Sequence, residues 1–123
     1  MVLAIIDGIF AISAGLITAF LWIIVIIKKL DYKFIEKPTE RLFHIIAEFL
    51  MSAVAIIAGI ALLLEQTWSI YIFYLAMGLI LYALINAIGI YKEKKYKLLV
   101  VTLVSSVLIT IVLIITSIII LTI

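Results

Sequence analysis

The sequence predicts an all-α polytopic membrane protein, with four transmembrane helices in an antiparallel bundle. Hydrophobic residues fill 69% of the 123 positions and charged ones 13%, which leaves too little polar surface for a soluble domain. The apolar residues gather into four runs, about 2–27, 40–64, 69–91 and 98–123. Each has the roughly 20 residues a helix needs to cross about 30 Å of hydrocarbon. None shows the polar–apolar alternation of a β-barrel strand, so all four read as helices of one domain spanning 1–123.

The basic residues set an orientation. All nine fall in two places: Lys28, Lys29, Lys33, Lys37 and Arg41 after the first run, and Lys92, Lys94, Lys95 and Lys97 after the third. The positive-inside rule then puts the loops 28–41 and 92–97 in the cytoplasm and both termini outside. Charges placed this way explain the net +2 without a nucleic-acid partner. No basic stretch precedes the first run, which therefore reads as a retained span and not a cleaved signal peptide. The chain has no cysteine, which excludes disulfides, thiolate metal sites and thiol redox chemistry.

In the first run Gly8, Ala11, Gly15 and Ala19 form a stripe of small residues, the pattern that lets helix backbones approach closely in lipid. Trp22 continues the stripe, as a belt residue or as a wall of a polar site. The segment 28–39 mixes Leu30, Tyr32, Phe34 and Ile35 with charges and is expected to lie along the lipid surface. Pro38-Thr39-Glu40 opens the second helix, with Thr39 as its cap and Glu40 at the positive end of its dipole. Glu65-Gln66-Thr67 is a turn short enough to make the second and third helices antiparallel neighbours. Trp68, Tyr71 and Tyr74 form one aromatic belt, matched at the other interface by Tyr32, Tyr91 and Tyr96. On the third helix Tyr71, Tyr74, Gly78, Tyr82 and Gly89 share a face, with Asn86 at its edge. The fourth carries a hydroxyl stripe, Thr102, Ser106, Thr110 and Ser117, which can simply bond its own i−4 carbonyls.

The second run holds the residues with chemical potential. Arg41, His44 and Glu48, with Ser52, Ala55 and Gly59, fall within an arc of about 80° at 100° per residue. Glu48 lies about 10 Å beyond Arg41 along the axis, below the headgroups. A lone carboxylate there costs several kcal/mol unless it is protonated or paired. His44 is one turn away and Arg41 two, so both can reach it. By depth, Trp22, Tyr82, Asn86, Thr102 and Ser106 come to the same level, and the four helices are expected to enclose these residues in one inner-leaflet pocket around Glu48.

The pattern Arg-x-x-His-x-x-Ala-Glu (Arg41, His44, Ala47, Glu48) resembles a group of small uncharacterised four-span prokaryotic integral membrane proteins. Leu81-Tyr82-x-x-Ile85-Asn86-x-x-Gly89-x-Tyr91 is similar to the third span of the same group. The resemblance implies a four-helix bundle in which Arg41, His44, Glu48, Tyr82 and Asn86 are the residues to watch, and no activity.

Three readings of the cluster compete. It can be a hydrogen-bond network that fixes helix register, with Arg41 snorkelling to lipid phosphate. It can be a site in which Arg41 binds an anionic headgroup or substrate while Glu48 and His44 hold a proton. Or it can be a haem or quinone site, for which the single His per chain requires a dimer. The preferred function is a lipid-binding, ligand-binding or scaffolding component of the bilayer. Its partners would be a lipid headgroup or small polar ligand, a homo-oligomer or another membrane subunit. The alternative is an oligomeric proton-coupled transporter or channel using Glu48 and His44. An enzyme comes third, with no cofactor, metal or catalytic residue expected.

Overall fold

The computed structural model describes residues 2–28, 37–93 and 97–122, apart from the side chains at positions 90, 91 and 93. Within them the expected four helices form: α1 (Val2–Ile27), α2 (Pro38–Leu63), α3 (Ser69–Glu93) and α4 (Lys97–Ser117). A single π-helical stretch, Ile118–Thr122, prolongs α4. No strand occurs among the described residues, and all four helices are long and apolar enough to cross a membrane. The surface-lying segment expected around Leu30, Tyr32, Phe34 and Ile35 lies outside the described residues, as do Tyr96 and four of the nine basic residues, Lys29, Lys33, Lys94 and Lys95.

The helices pack in chain order, α1 on α2, α2 on α3 and α3 on α4, while α1 and α4 barely meet. One end of the bundle carries the α2–α3 turn and the other the described basic residues, Lys28, Lys37, Arg41, Lys92 and Lys97; they are the turn end and the basic end below.

The tightest packing is between α1 and α2, and glycine makes it possible. A Cβ on Gly59 would stand 2.6 Å from the Gly8 carbonyl oxygen, and one on Gly15 would stand 2.8 Å from that of Ser52. Gly8, Ala11 and Gly15 are buried here, opposite Ser52, Ala55 and Gly59, so the small stripe of α1 is a packing face.

Two local features depart from the sequence-based expectation. Thr39 does not cap α2. Lys37 occupies the cap position and makes no side-chain capping bond. Pro38 at the first helical position fixes this register, since the residue before a proline is held extended, and Lys37 has φ −75° and ψ 122°. Second, the stripe of tyrosine and glycine on α3 faces outward. Tyr71 is 66% and Tyr82 74% exposed, and a Cβ on Gly78 or Gly89 would meet nothing within 4 Å. The buried face of α3 is Phe73, Ala76, Met77 and Ile80, which join Met51, Ala55, Ala58 and Leu62 of α2 in the core.

The turn is built by a Schellman motif. Gln66 N–H donates to the Ala61 carbonyl and Glu65 N–H to that of Leu62, each at 3.1 Å, with Glu65 left-handed at φ 58°. Ser69 Oγ then donates to the Gln66 carbonyl at 2.6 Å and starts α3. Trp68 and Tyr71 are exposed beside this turn, as an aromatic belt requires, whereas Tyr74 is half-buried and its hydroxyl lies 2.6 Å from Thr122 Oγ1.

Candidate functional site

The i, i+4 spacing on α2 brings His44 Nε2 to 3.3 Å from Glu48 Oε1. The Glu48 side chain is 13% exposed and turns toward α1, where Trp22 hydrogen-bonds it. An indole has only its N–H to give, so Trp22 is the donor. The Trp22 and His44 rings meet at a centroid distance of 5.2 Å, tilted by 59°. The small stripe of α1 makes this possible by holding the two helices close enough for a side chain of each to cross the gap.

These three residues form one wall of a cavity of about 430 Å³ to which all four helices contribute. Leu21 and Ile17 of α1, Met51 of α2, Ile80 and Leu84 of α3 and Leu99 and Leu103 of α4 supply its apolar surface. Asn86, Thr102 and Ser106 bring further polar atoms. The cavity occupies the basic half of the bundle, with residues of both α1 and α4 in its wall.

Of the eight residues expected here, Trp22, His44, Glu48, Asn86, Thr102 and Ser106 line the cavity, and Arg41 and Tyr82 do not. Arg41 lies one turn nearer the helix end than His44. Tyr82 points away because α3 buries its Phe73–Met77–Ile80 face, and the pitch of the helix then carries position 82 to the outside.

The hydroxyls are constrained in what they can offer. Thr102 Oγ1 donates to the Leu98 carbonyl at 2.9 Å and Ser106 Oγ to that of Thr102 at 3.0 Å. Both present lone pairs to the cavity but no proton. With Glu48 and the Asn86 amide oxygen, the site is rich in acceptors. Among the described residues no group of three or more His, Cys, Asp or Glu side chains converges as a metal site would require.

A second polar node escaped the sequence reading. Asp7 of α1 and Ser117 of α4 are both fully buried, and the Ser117 hydroxyl bonds Asp7 Oδ2. Asp7 Oδ1 has no partner among the described residues. Asp7 is not among the site residues that the sequence predicts, but its register carries a signal. Asp7, Ala11 and Gly15 follow one another at i+4, which sets Asp7 on the close-packing stripe.

A family model whose description is a domain of unknown function matches residues 1–122. No curated protein and no solved structure matches the chain.

Proposed function

The chain belongs to the family described as Domain of unknown function (DUF8058), and because that description assigns no activity we propose a function from the cavity. We infer a small membrane protein, one domain over residues 1–123, that binds a lipid or other small amphiphile by a hydroxyl or ammonium headgroup held at Glu48. The observation that carries this reading is the cavity of about 430 Å³, which is apolar over most of its wall and carries the acceptors of Glu48, Asn86, Thr102 and Ser106. A volume in this range suits a small organic ligand. Glu48, Asn86, Thr102 and Ser106 offer oxygen lone pairs, and Trp22 offers an aromatic face that favours a cation. An anionic headgroup fits less well, since Arg41 is not in the wall.

That α1 and α4 barely meet supports entry sideways from the bilayer between them. The positive-inside rule places the cavity in the cytoplasmic leaflet. Four helices leave little room for an enclosed path, so assembly into a homo-oligomer or with another membrane subunit belongs to the same proposal. Native mass spectrometry from mild detergent tests it. Wild-type protein should retain an amphiphile with a donor headgroup, and Glu48→Gln should lose it. Wild-type protein that retains nothing, or a variant that retains the same species equally, would overturn the reading.

The 3.3 Å contact of His44 with Glu48 favours a second reading, proton-coupled transport by an oligomer. Flux into liposomes that vanishes in Glu48→Gln supports it, and unchanged flux removes it.

A further inference from the structure

Asp7 carries more chemistry than a helix clasp uses. Its side chain is fully buried, one carboxyl oxygen bonds Ser117, and the other has no partner among the described residues. If its role were only to tie α1 to α4, an amide or a second hydroxyl would serve without putting an ionisable group in hydrocarbon. A second observation places open space near the carboxyl. A cleft of about 290 Å³ opens at the turn end, and its wall includes Ala4, Glu65, Gln66, Thr67, Ser69 and Leu121. Ala4 is three residues before Asp7 and Leu121 four after Ser117, so this cleft, which Leu62 and Ile70 also line, begins about one turn from the pair.

We propose that Asp7 is a proton-binding carboxyl, loaded from the turn end of the bundle through this cleft and independent of whatever occupies the cavity at Glu48. A proton is the occupant that the site's chemistry selects. A metal cation requires a shell of about six oxygens, whereas the side chains here supply Asp7 and Ser117. A proton needs one acceptor, and Oδ1 is one. Among the described residues on the elements packed around Asp7, the titratable groups at this end are Glu65 at the mouth of the cleft and Tyr71 and Tyr74 on α3. Ser117 is its hydrogen-bond partner. About 22 Å of helix separates Asp7 from Trp22 at 1.5 Å per residue. Ala11, Ala55, Ala58, Phe73 and Met77, all buried, fill the core of the bundle. The proposed proton site and the Glu48 cavity therefore lie toward opposite ends of the bundle.

The test uses wild-type protein in phosphatidylcholine vesicles, exposed to dicyclohexylcarbodiimide over a pH series and mapped by peptide mass spectrometry. The reagent adds to a protonated carboxyl: the acid oxygen bonds the central carbon, the acid proton goes to a nitrogen, and no atom is lost. Labelling of Asp7 should fall several-fold from acid to alkaline pH. Absence of Asp7 labelling at every pH, or labelling that does not change with pH, would overturn the proposal. The route is tested separately. Because the chain has no cysteine, Leu121→Cys gives a single thiol in the cleft. It should react with a membrane-impermeant thiol reagent several-fold faster than Leu75→Cys, on the exposed face of α3. Equal rates would overturn loading from the turn end.

Discussion

Asp7 and Ser117 join two helices that otherwise barely touch, and they do so at the end of the bundle opposite Glu48. The bundle is thus tied between α1 and α4 at one end, while the cavity that both helices line lies toward the other.

Ser117→Ala should lower the melting temperature in detergent. The change removes the hydroxyl bonded to Oδ2 while Oδ1 already lacks a partner, which leaves a buried carboxyl with no protein hydrogen bond. Stranding a buried polar group in this way costs about 1–3 kcal/mol. Thr116→Ala, which loses only bonds to its own helix at Val112 and Leu113, should melt close to wild type. If the two variants melt alike, the α1–α4 bond contributes nothing beyond a local one.

The two helical glycine classes should respond oppositely to alanine. In Gly59→Ala the new methyl runs into Ile12 Cγ1 and stands 2.6 Å from the Gly8 carbonyl oxygen, a backbone atom that moves only if α1 moves. Overpacking of this kind costs about 1–3 kcal/mol. Gly78→Ala places its methyl where nothing lies within 4 Å, and alanine is the better helix former. Thermal melts should show a loss for the first and no loss for the second; a shared loss would refute the close α1–α2 contact.

Much of this contrast was legible in the sequence, and the part that was not is instructive. The four apolar runs fix the helices because bilayer thickness sets their length, and the small stripe of α1 fixes its packing face because only small side chains permit the approach. The same logic failed on α3. Gly78, Tyr82 and Gly89 looked like an inward face, yet α3 buries Phe73, Ala76 and Met77 instead. In a lipid-solvated helix both faces are apolar, so periodicity alone does not choose between them. Asp7 went unremarked for a related reason: its register sets it on the small stripe, but only the partner 110 positions away shows what it bonds.

Glu65 holds a conformation that suits glycine. Its φ of 58° completes the Schellman motif at the end of α2, and a side chain there costs about 1–2 kcal/mol over the right-handed form. Glu65→Gly should therefore raise stability by up to about 1 kcal/mol, part of the relief being offset by glycine's greater freedom when unfolded. Glu65→Ala keeps the Cβ and removes the charge, so it should bring no such gain. Equal stabilisation by both would attribute the effect to charge and not to backbone strain.

Trp22 offers a direct reading of cavity occupancy. It hydrogen-bonds Glu48, stacks obliquely on His44 and lines the cavity, while the second tryptophan, Trp68, is 47% exposed at the far end. In a Trp68→Phe background, emission comes from Trp22 alone. Delipidated protein titrated with a single-chain amphiphile bearing an ammonium or hydroxyl headgroup should show a saturable change in that emission. Glu48→Gln keeps the shape of the side chain and an oxygen to accept the indole proton, but it removes the charge and part of the acceptor capacity. It should weaken binding of the ammonium compound about tenfold or more, since a desolvated charged hydrogen bond contributes about 1.5–3 kcal/mol. Tyr82→Phe, on the outward face, should leave the titration unchanged. A Glu48→Gln curve that overlays the wild type would place the headgroup elsewhere, and a Tyr82→Phe curve that shifts would return that tyrosine to the site.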